Sequence, residues 1–445
     1  MNFTVDTSVG TTIPTDKYQL RKSKALYTCY HELHTRPFPK IKGPVKISSL
    51  AFHHKKSALT EHSIQHEIAH ITTLCHDYQH KGPDKNCRHF YLDFKDFELR
   101  WERHNEFSSY TFLVRTNNHK FFSEPAIDIV PKKWLKAIVG TVISALHIEV
   151  QDANGAHKNT AQIKPFFEHH RLLGSTLRQG NTSMWSAMHL HQDNFNRILL
   201  LSNKIHQCQS GRIIRTLLEL EAYRNLILLA FPLAQHIGNE VNHIEIQLAE
   251  LLNHSNDKAC TEQQQLATLS TMAATLSQLI AKSRYRFDAA IAYYQIVESR
   301  FDELQEEKIE GLQTVTAFIK RRLSPALRTI KATKYRLDDL AKRTDRASDF
   351  LRTKIDMVIE QQNQELLTSM NNRAQMQLNL QQTVEGLSVI VVTYYLLALT
   401  QFLLSAAKNW GIIIDVSQTI AQLMPLYLIL VWLFSLRVKK KLKPS

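Results

Sequence analysis

The stretch His66-Glu67-Ile68-Ala69-His70 has the form H-E-x-x-H. On a helix, two imidazoles four residues apart face the same way and can hold Zn²⁺, and the intervening glutamate can act as base on a metal-bound water. The chemistry this spells is metal-assisted hydrolysis, with His66 and His70 as ligands and a divalent cation as cofactor. Leu59–Tyr78 carries a helical pattern, with Ile64, Ile68, Ile71, Cys75 and Tyr78 on one face. Helical angles put His62, His66 and His70 on the other side, away from that core face. The sequence identifies no third ligand, and a chain with 22 histidines produces such a spacing by chance.

A second polar group, His31, Glu32, His34 and Arg36, could form a metal or phosphate site. It is read more simply as a charged segment pinned by Pro37 and Pro39 onto the domain behind it or onto a neighbouring subunit. His53-His54 and His169-His170 lack partner spacing and read as surface or strand-end residues. There is no Gly-rich phosphate loop, G-x-S-x-G elbow or dinucleotide fingerprint, and 12 glycines leave little material for a loop-built nucleotide site. The expectation is a non-enzymatic protein with no cofactor; the zinc hydrolase and its divalent cation stand as an alternative.

These residues must be positioned by a mixed domain over 45–203. Val45–His53, Phe97–His104, Phe107–Arg115, Val142–Val150, Leu172–Leu177, Ser183–His189 and Asn196–Leu201 read as strands, and Trp134–Val139 as a short helix. That mixture predicts an α+β, α/β sandwich-like fold. From 204 to 332 strand signals stop, and Ile213–Leu252, Cys260–Ala281 and Tyr285–Leu304 read as helices of a bundle. Pro325 marks an expected break. Residues 333–386 are polar, almost free of Gly and Pro, and form one stalk helix whose apolar residues recur nearer an eleven- than a seven-residue period.

The stalk runs into Leu387–Ala407, an uncharged apolar run of 21 residues; a second, Ile420–Leu436, has 17. The first is long enough to cross a hydrocarbon core of about 30 Å. Together with the connector 408–419 they read as a transmembrane hairpin. The tail 437–445 carries five Lys or Arg, against Lys408 and Asp415 in the connector, so positive-inside bias puts the tail in the cytoplasm. Two spans then put the amino-terminal body on the same side. The first 24 residues lack an apolar signal region, and five scattered cysteines read as reduced thiols.

Net charge is +14, concentrated at the two ends: residues 1–60 hold ten Lys or Arg against Asp6, Asp16 and Glu32. A basic arm (1–44) and a juxtamembrane tail fit anionic lipid headgroups, and argue against a nucleic-acid partner. Within the first apolar run Thr393, Leu397 and Thr400 share a face and, with Gln401, could line a pore. Interhelical hydrogen bonding is the other reading of such residues.

Two resemblances follow. Tyr30–Pro39 (YHELHTRPFP, containing His31, Glu32, His34, Arg36 and Pro37), Trp101–Tyr110 (WERHNEFSSY, containing Trp101, Glu102, Arg103 and His104), Leu218–Arg224 (LELEAYR), Glu360–Asn363 and Leu380–Ser388 resemble a bacterial family of uncharacterised membrane-anchored proteins. That likeness covers most of residues 30–436. It implies a soluble amino-terminal domain, helices and an anchor in the inner membrane, with no activity to carry over. In architecture alone, the domain, stalk, two spans and basic tail resemble CorA-type divalent-cation channels. Their Gly-Met-Asn signature is missing where this chain reads Ala406-Ala407-Lys408-Asn409-Trp410-Gly411. The sequence therefore predicts a two-span inner-membrane protein, homo-oligomeric through stalk and spans, acting as a cytoplasmic scaffold or sensor. An oligomeric ion channel is the runner-up.

Overall fold

The computed structural model describes residues 41, 43–54, 61–85, 87–116, 120–153, 160–177, 182–202, 207–253, 261–409 and 415–442. His31, Glu32, His34, Arg36 and Pro37 lie outside the described residues, as does most of the basic arm. So do the connector residues 410–414, and the side chains of 438–445 in the tail are not described.

In chain order the elements are β1 (Val45–His53), α1 (Glu61–Asp77), β2 (His89–Asp93), β3 (Glu98–Arg103), β4 (Phe107–Arg115), α2 (Lys132–Lys136) and β5 (Thr141–Asp152). There follow α3 (Thr160–Ile163), a 3₁₀ turn (Lys164–Phe167), β6 (Leu173–Leu177), β7 (Thr182–Ser186) and β8 (Asn196–Ser202). The helices α4 (Gln207–Leu228), α5 (Ala230–Asn253) and α6 (Glu262–Leu304), the strand β9 (Glu306–Lys308), and the helices α7 (Val315–Asn409) and α8 (Val416–Leu442) complete the chain.

The strands form one sheet in the order β2-β3-β4-β1-β5-β8-β7-β6-β9. The pairs are antiparallel except β5 with β8. Central β1 is buried at every position but His53, because helices cover both faces. A strand with no solvated face needs no strict polar alternation, which is why VKISSLAFH is nearly uncharged throughout. On one face Leu50, Phe52, Leu99, Trp101, Tyr110 and Phe112 pack under Ile68, Ile71, Leu74 and Cys75 of α1 and Trp134 of α2. On the other, Ala51 and Phe107 pack against Ala222 and Leu226 of α4.

The chain divides into two compact units, one from residues 1–256 and 269–345, the other from 257–268 and 346–445. In the first, Ile237 and Val241 of α5, Phe287 and Val297 of α6, and Leu327 and Ile330 near the start of α7 are buried. Thr333 Oγ1 donates to Ala234 O at 3.4 Å, and Arg336 pairs with Glu245 at 2.5 Å. In the second, Lys354 pairs with Glu262 at 2.7 Å. Its α7 portion leaves Met357, Leu366, Leu367, Met370 and Leu378 exposed. Val315–Ala406 and Val416–Ser435 are long and apolar enough to cross a membrane, and their apolar stretches are almost wholly uncovered by protein.

Several expectations change. The helix expected over Ile213–Leu252 is two, divided at Leu229. Pro232 sits in the first turn of α5, where its missing N–H had no intrahelical partner to lose. The break expected at Pro325 is absent, since α7 continues through it. A proline inside a helix costs about 3 kcal/mol. Burial of Leu323, Ala326, Leu327 and Ile330 around it offsets that. The two helices expected over 260–304 are one, α6. The strand expected over Ser183–His189 ends at Ser186: Met188 turns to φ +48° and its N–H donates to Ser186 Oγ at 3.1 Å.

Candidate functional site

Strand alternation divides the Trp101–Tyr110 block between the two faces of the sheet. Trp101, Arg103 and Ser108 point toward α1, and there they meet Glu67 of the H-E-x-x-H stretch. Trp101 Nε1 donates to Glu67 Oε2 at 3.1 Å and Ser108 Oγ to the same oxygen at 2.5 Å. Arg103 forms an ion pair with Oε1, and His54 Nε2 lies 3.2 Å from it. Glu67, Arg103 and His54 are each under 5 % exposed. Burial, reinforced by Arg103, pushes the His54 imidazole down to about 4, so this histidine is neutral at ordinary pH. A buried carboxylate held by three donors is closed off from solvent water.

The flanking histidines go elsewhere. His66 is exposed. The His70 ring stacks on Trp134 with centroids 4.5 Å apart, and Trp134 Nε1 donates to His70 O at 2.8 Å. His62's side chain is not described. Among the described residues no third His, Cys, Asp or Glu joins His66 and His70 as a ligand. The geometry therefore makes Glu67 a clamp between α1 and the sheet.

Arg100, Glu102 and His104 point to the opposite face, where the Leu218–Arg224 block of α4 meets them. Arg100 Nη2 donates to Glu102 Oε1 at 2.6 Å, and His104 stacks on Phe107 at 4.2 Å. Burial pushes the Glu102 carboxyl up, but Arg100, His104 and Arg215 more than offset it and hold it below the usual range. Glu219 bridges Arg215 (2.7 Å) and Arg300 (2.5 Å). Glu221 accepts from Asn196 Nδ2 (3.2 Å) and Arg224 Nε (2.9 Å). The cavity left among these groups is about 50 Å³, room for a few waters and not for a metabolite. This second cluster fastens α4 to the sheet.

A third cluster is open. Beyond the 3₁₀ turn Lys164–Phe167, Glu168 and His169 take φ +52° and +61°, and the Phe167 side chain is buried in the core beneath. Glu168 Oε1 accepts from Gln192 N at 3.3 Å and lies 3.5 Å from Arg197 Nη2. Arg197 also bonds Asp193 Oδ2 at 2.8 Å and Phe166 O at 3.1 Å. Glu168 Oε2 faces two imidazoles, with His191 Nδ1 at 3.3 Å and His170 Nε2 at 4.0 Å. Burial, and then Arg197, lower the His191 imidazole from its ordinary value. His147, stacked on Phe195 at 3.9 Å, is pushed down to about 4, mainly by burial. Glu168, His170 and His191 are the one group of three metal-ligating side chains that converges among the described residues. Sequence reading passed over it because Glu168 and His170 are two residues apart and His191 lies twenty-one further on, with no regular element carrying the spacing.

The residues considered for a pore sit on α7. Thr393 is buried, and its hydroxyl donates to Val389 O at 2.7 Å. Thr400 donates to Leu396 O at 2.7 Å and lies 3.0 Å from the Tyr427 hydroxyl of α8. Leu397 is half-buried and Gln401 exposed.

Fold and clusters together define a protein with an amino-terminal α/β sheet domain followed by two helices apolar enough to cross a membrane. The chain belongs to the family described as a protein of unknown function (DUF3422), which matches residues 21–442. No curated protein and no solved structure matches the chain.

Proposed function

We propose that the protein is a two-span bacterial inner-membrane protein whose sheet domain works at the cytoplasmic face as a scaffold or sensing module. The observation that carries this is the contrast in burial along the chain. The sheet domain buries its aromatic residues on both faces, whereas Leu387, Ile390, Tyr394, Phe402, Ile429 and Trp432 are all more than half exposed. Soluble proteins rarely leave contiguous apolar surface of this extent uncovered. A bilayer satisfies both helices without further structure, and the Thr400–Tyr427 contact supports their pairing as a hairpin.

The half-buried and buried positions Thr393, Leu397, Thr400 and Leu404 fall on one side of α7, and Ile420, Leu423, Tyr427 and Val431 on one side of α8. This supports helix contact as the role of the threonines over pore lining. Exposed Leu366, Leu367 and Met370 on α7 support association of copies along the stalk. Basic residues of the arm and tail would attract anionic headgroups. The experiment is extraction of membranes with alkaline carbonate, followed by light scattering of the detergent-purified chain. Retention in the pellet and a mass of several copies are expected; release by carbonate or a monomer at every concentration contradicts the reading. The channel reading draws on the unbroken passage of α7 into its apolar stretch, and ion flux into reconstituted vesicles that changes on Thr400→Val is its test.

A further inference from the structure

We infer that Glu168, His170 and His191 form a binding site for a divalent transition metal, with Zn²⁺ the best-fitting ion. Two of the three polar clusters in the sheet domain are closed, their charges satisfied by one another. The third ends in ligand atoms that all lie within 4.8 Å of one another. It also holds a buried imidazole, His191, that faces the Glu168 carboxylate at 3.3 Å without well-formed hydrogen bonds. The His191 side chain has 0 % exposure. Its Nδ1 faces Glu168 Oε2 without hydrogen-bond geometry, and Nε2 has no hydrogen-bond partner among the described residues. Burying such a polar group unsatisfied costs on the order of 1–3 kcal/mol. A cation at Nδ1 supplies that atom with a partner.

The spacing fits. Metal–nitrogen and metal–oxygen bonds near 2.0 Å in a tetrahedral site put adjacent ligand atoms roughly 3.3 Å apart. Glu168 Oε2 and His191 Nδ1 are separated by 3.3 Å. His170 Nε2, 4.0 Å from Glu168 Oε2, closes the remainder by a small rotation of a side chain that is 36 % exposed. His189 stacks on the His170 ring at 4.0 Å.

The surroundings orient the ligands. Gln192 N–H and Arg197 occupy Glu168 Oε1 and leave Oε2 turned toward the imidazoles. Asp193 balances Arg197, so the guanidinium does not oppose the cation alone. Two imidazoles with one carboxylate suit zinc and its first-row neighbours, whereas Mg²⁺ and Ca²⁺ take oxygen-only shells. Three protein ligands leave a fourth position for water or an anionic ligand.

The test uses the full-length chain in detergent, stripped with a chelator and dialysed. Co²⁺ is titrated while visible absorption is followed, and Zn²⁺ is then used in competition and by calorimetry. One equivalent is expected, displaced by Zn²⁺ and not by Mg²⁺. His170→Ala changes a partly exposed ring and should leave the thermal melt unchanged while weakening binding at least a hundredfold; Glu168→Gln should do the same. His66→Ala/His70→Ala should bind like the parent chain. Absence of saturable binding, equal affinity in the His170→Ala chain, or loss of binding only in the His66→Ala/His70→Ala chain would each overturn the assignment.

Discussion

Replacing Glu67 distinguishes a clamp from a catalytic base without any knowledge of substrate. Glu67→Ala removes the acceptor of Arg103, Trp101 and Ser108 and takes the Glu67 carboxylate from a guanidinium only 4 % exposed. Breaking a buried pair by deleting one partner costs about 3–5 kcal/mol, mostly from the stranded charge. Two lost hydrogen bonds to neutral donors lie within that figure rather than beside it, because the same network is being counted. At about 2–4 °C per kcal/mol the midpoint falls by roughly 6–20 °C, with the lower end favoured in a unit this large. Glu67→Gln keeps the volume but turns an amide N–H toward one of the donors, and should fall between the two. His66→Ala, at an exposed position on the same helix, should change stability by less than about 0.5 kcal/mol. The assay is thermal unfolding in detergent followed by circular dichroism. If Glu67→Ala melts with His66→Ala, the carboxylate does not lie in the core and the clamp is refuted.

Further outcomes follow from the same geometry. Between pH 6.5 and about 4 the unfolded chain binds protons at His54 and His147 that the folded chain refuses, so stability falls on acidification by about 1.4 kcal/mol per pH unit for each. Glu149, pushed up to about 7 chiefly by burial, opposes this between pH 4.5 and 7, because there the folded chain holds the extra proton. For these three groups together the expectation is about 1.4 kcal/mol lost per unit from pH 6.5 to 4.5, and Glu149→Gln should about double their combined slope and stabilise the chain at pH 8. Urea midpoints against pH measure both, and a slope of opposite sign contradicts the assignment. A Cβ at Gly174 would meet Leu312 Cδ1 at 2.7 Å and the Trp185 ring at 3.1 Å. Gly174→Ala should therefore cost about 1–3 kcal/mol in a chemical melt, and no change would mean β6 is less closely packed than described. Tyr427→Phe removes one interhelical hydrogen bond and should lower resistance to denaturing detergent by about 0.6 kcal/mol, at most about 1.7; a larger loss would give the hydroxyl another role.

Sequence reading located β1 and β4 to the residue, since nine-residue runs rich in aromatic and β-branched side chains leave little alternative. β2 escaped because HFYLD pairs only with β3 and alternates poorly, and β9 because three charged residues carry no pattern and owe their conformation to β6. The continuation of α7 through Pro325 was illegible for a similar reason: local propensity opposes it and tertiary burial decides. The apolar stretches, by contrast, were plain from composition. For the site, the H-E-x-x-H spacing drew attention to Glu67, yet its partners Trp101, Arg103 and Ser108 come from strands more than thirty residues away. The Glu168 cluster depends on two left-handed residues and a second turn, none of which spacing encodes.

Cysteine labelling from outside intact cells tests the membrane assignment most directly. Cys208 is exposed on the sheet domain and Ser417 is exposed at the start of α8. In chains whose remaining cysteines are replaced, a membrane-impermeant maleimide should reach Ser417→Cys in intact cells and Cys208 only after the membrane is broken. Labelling of Cys208 in intact cells, or both sites reacting equally without lysis, would contradict a sheet domain held inside by two spans.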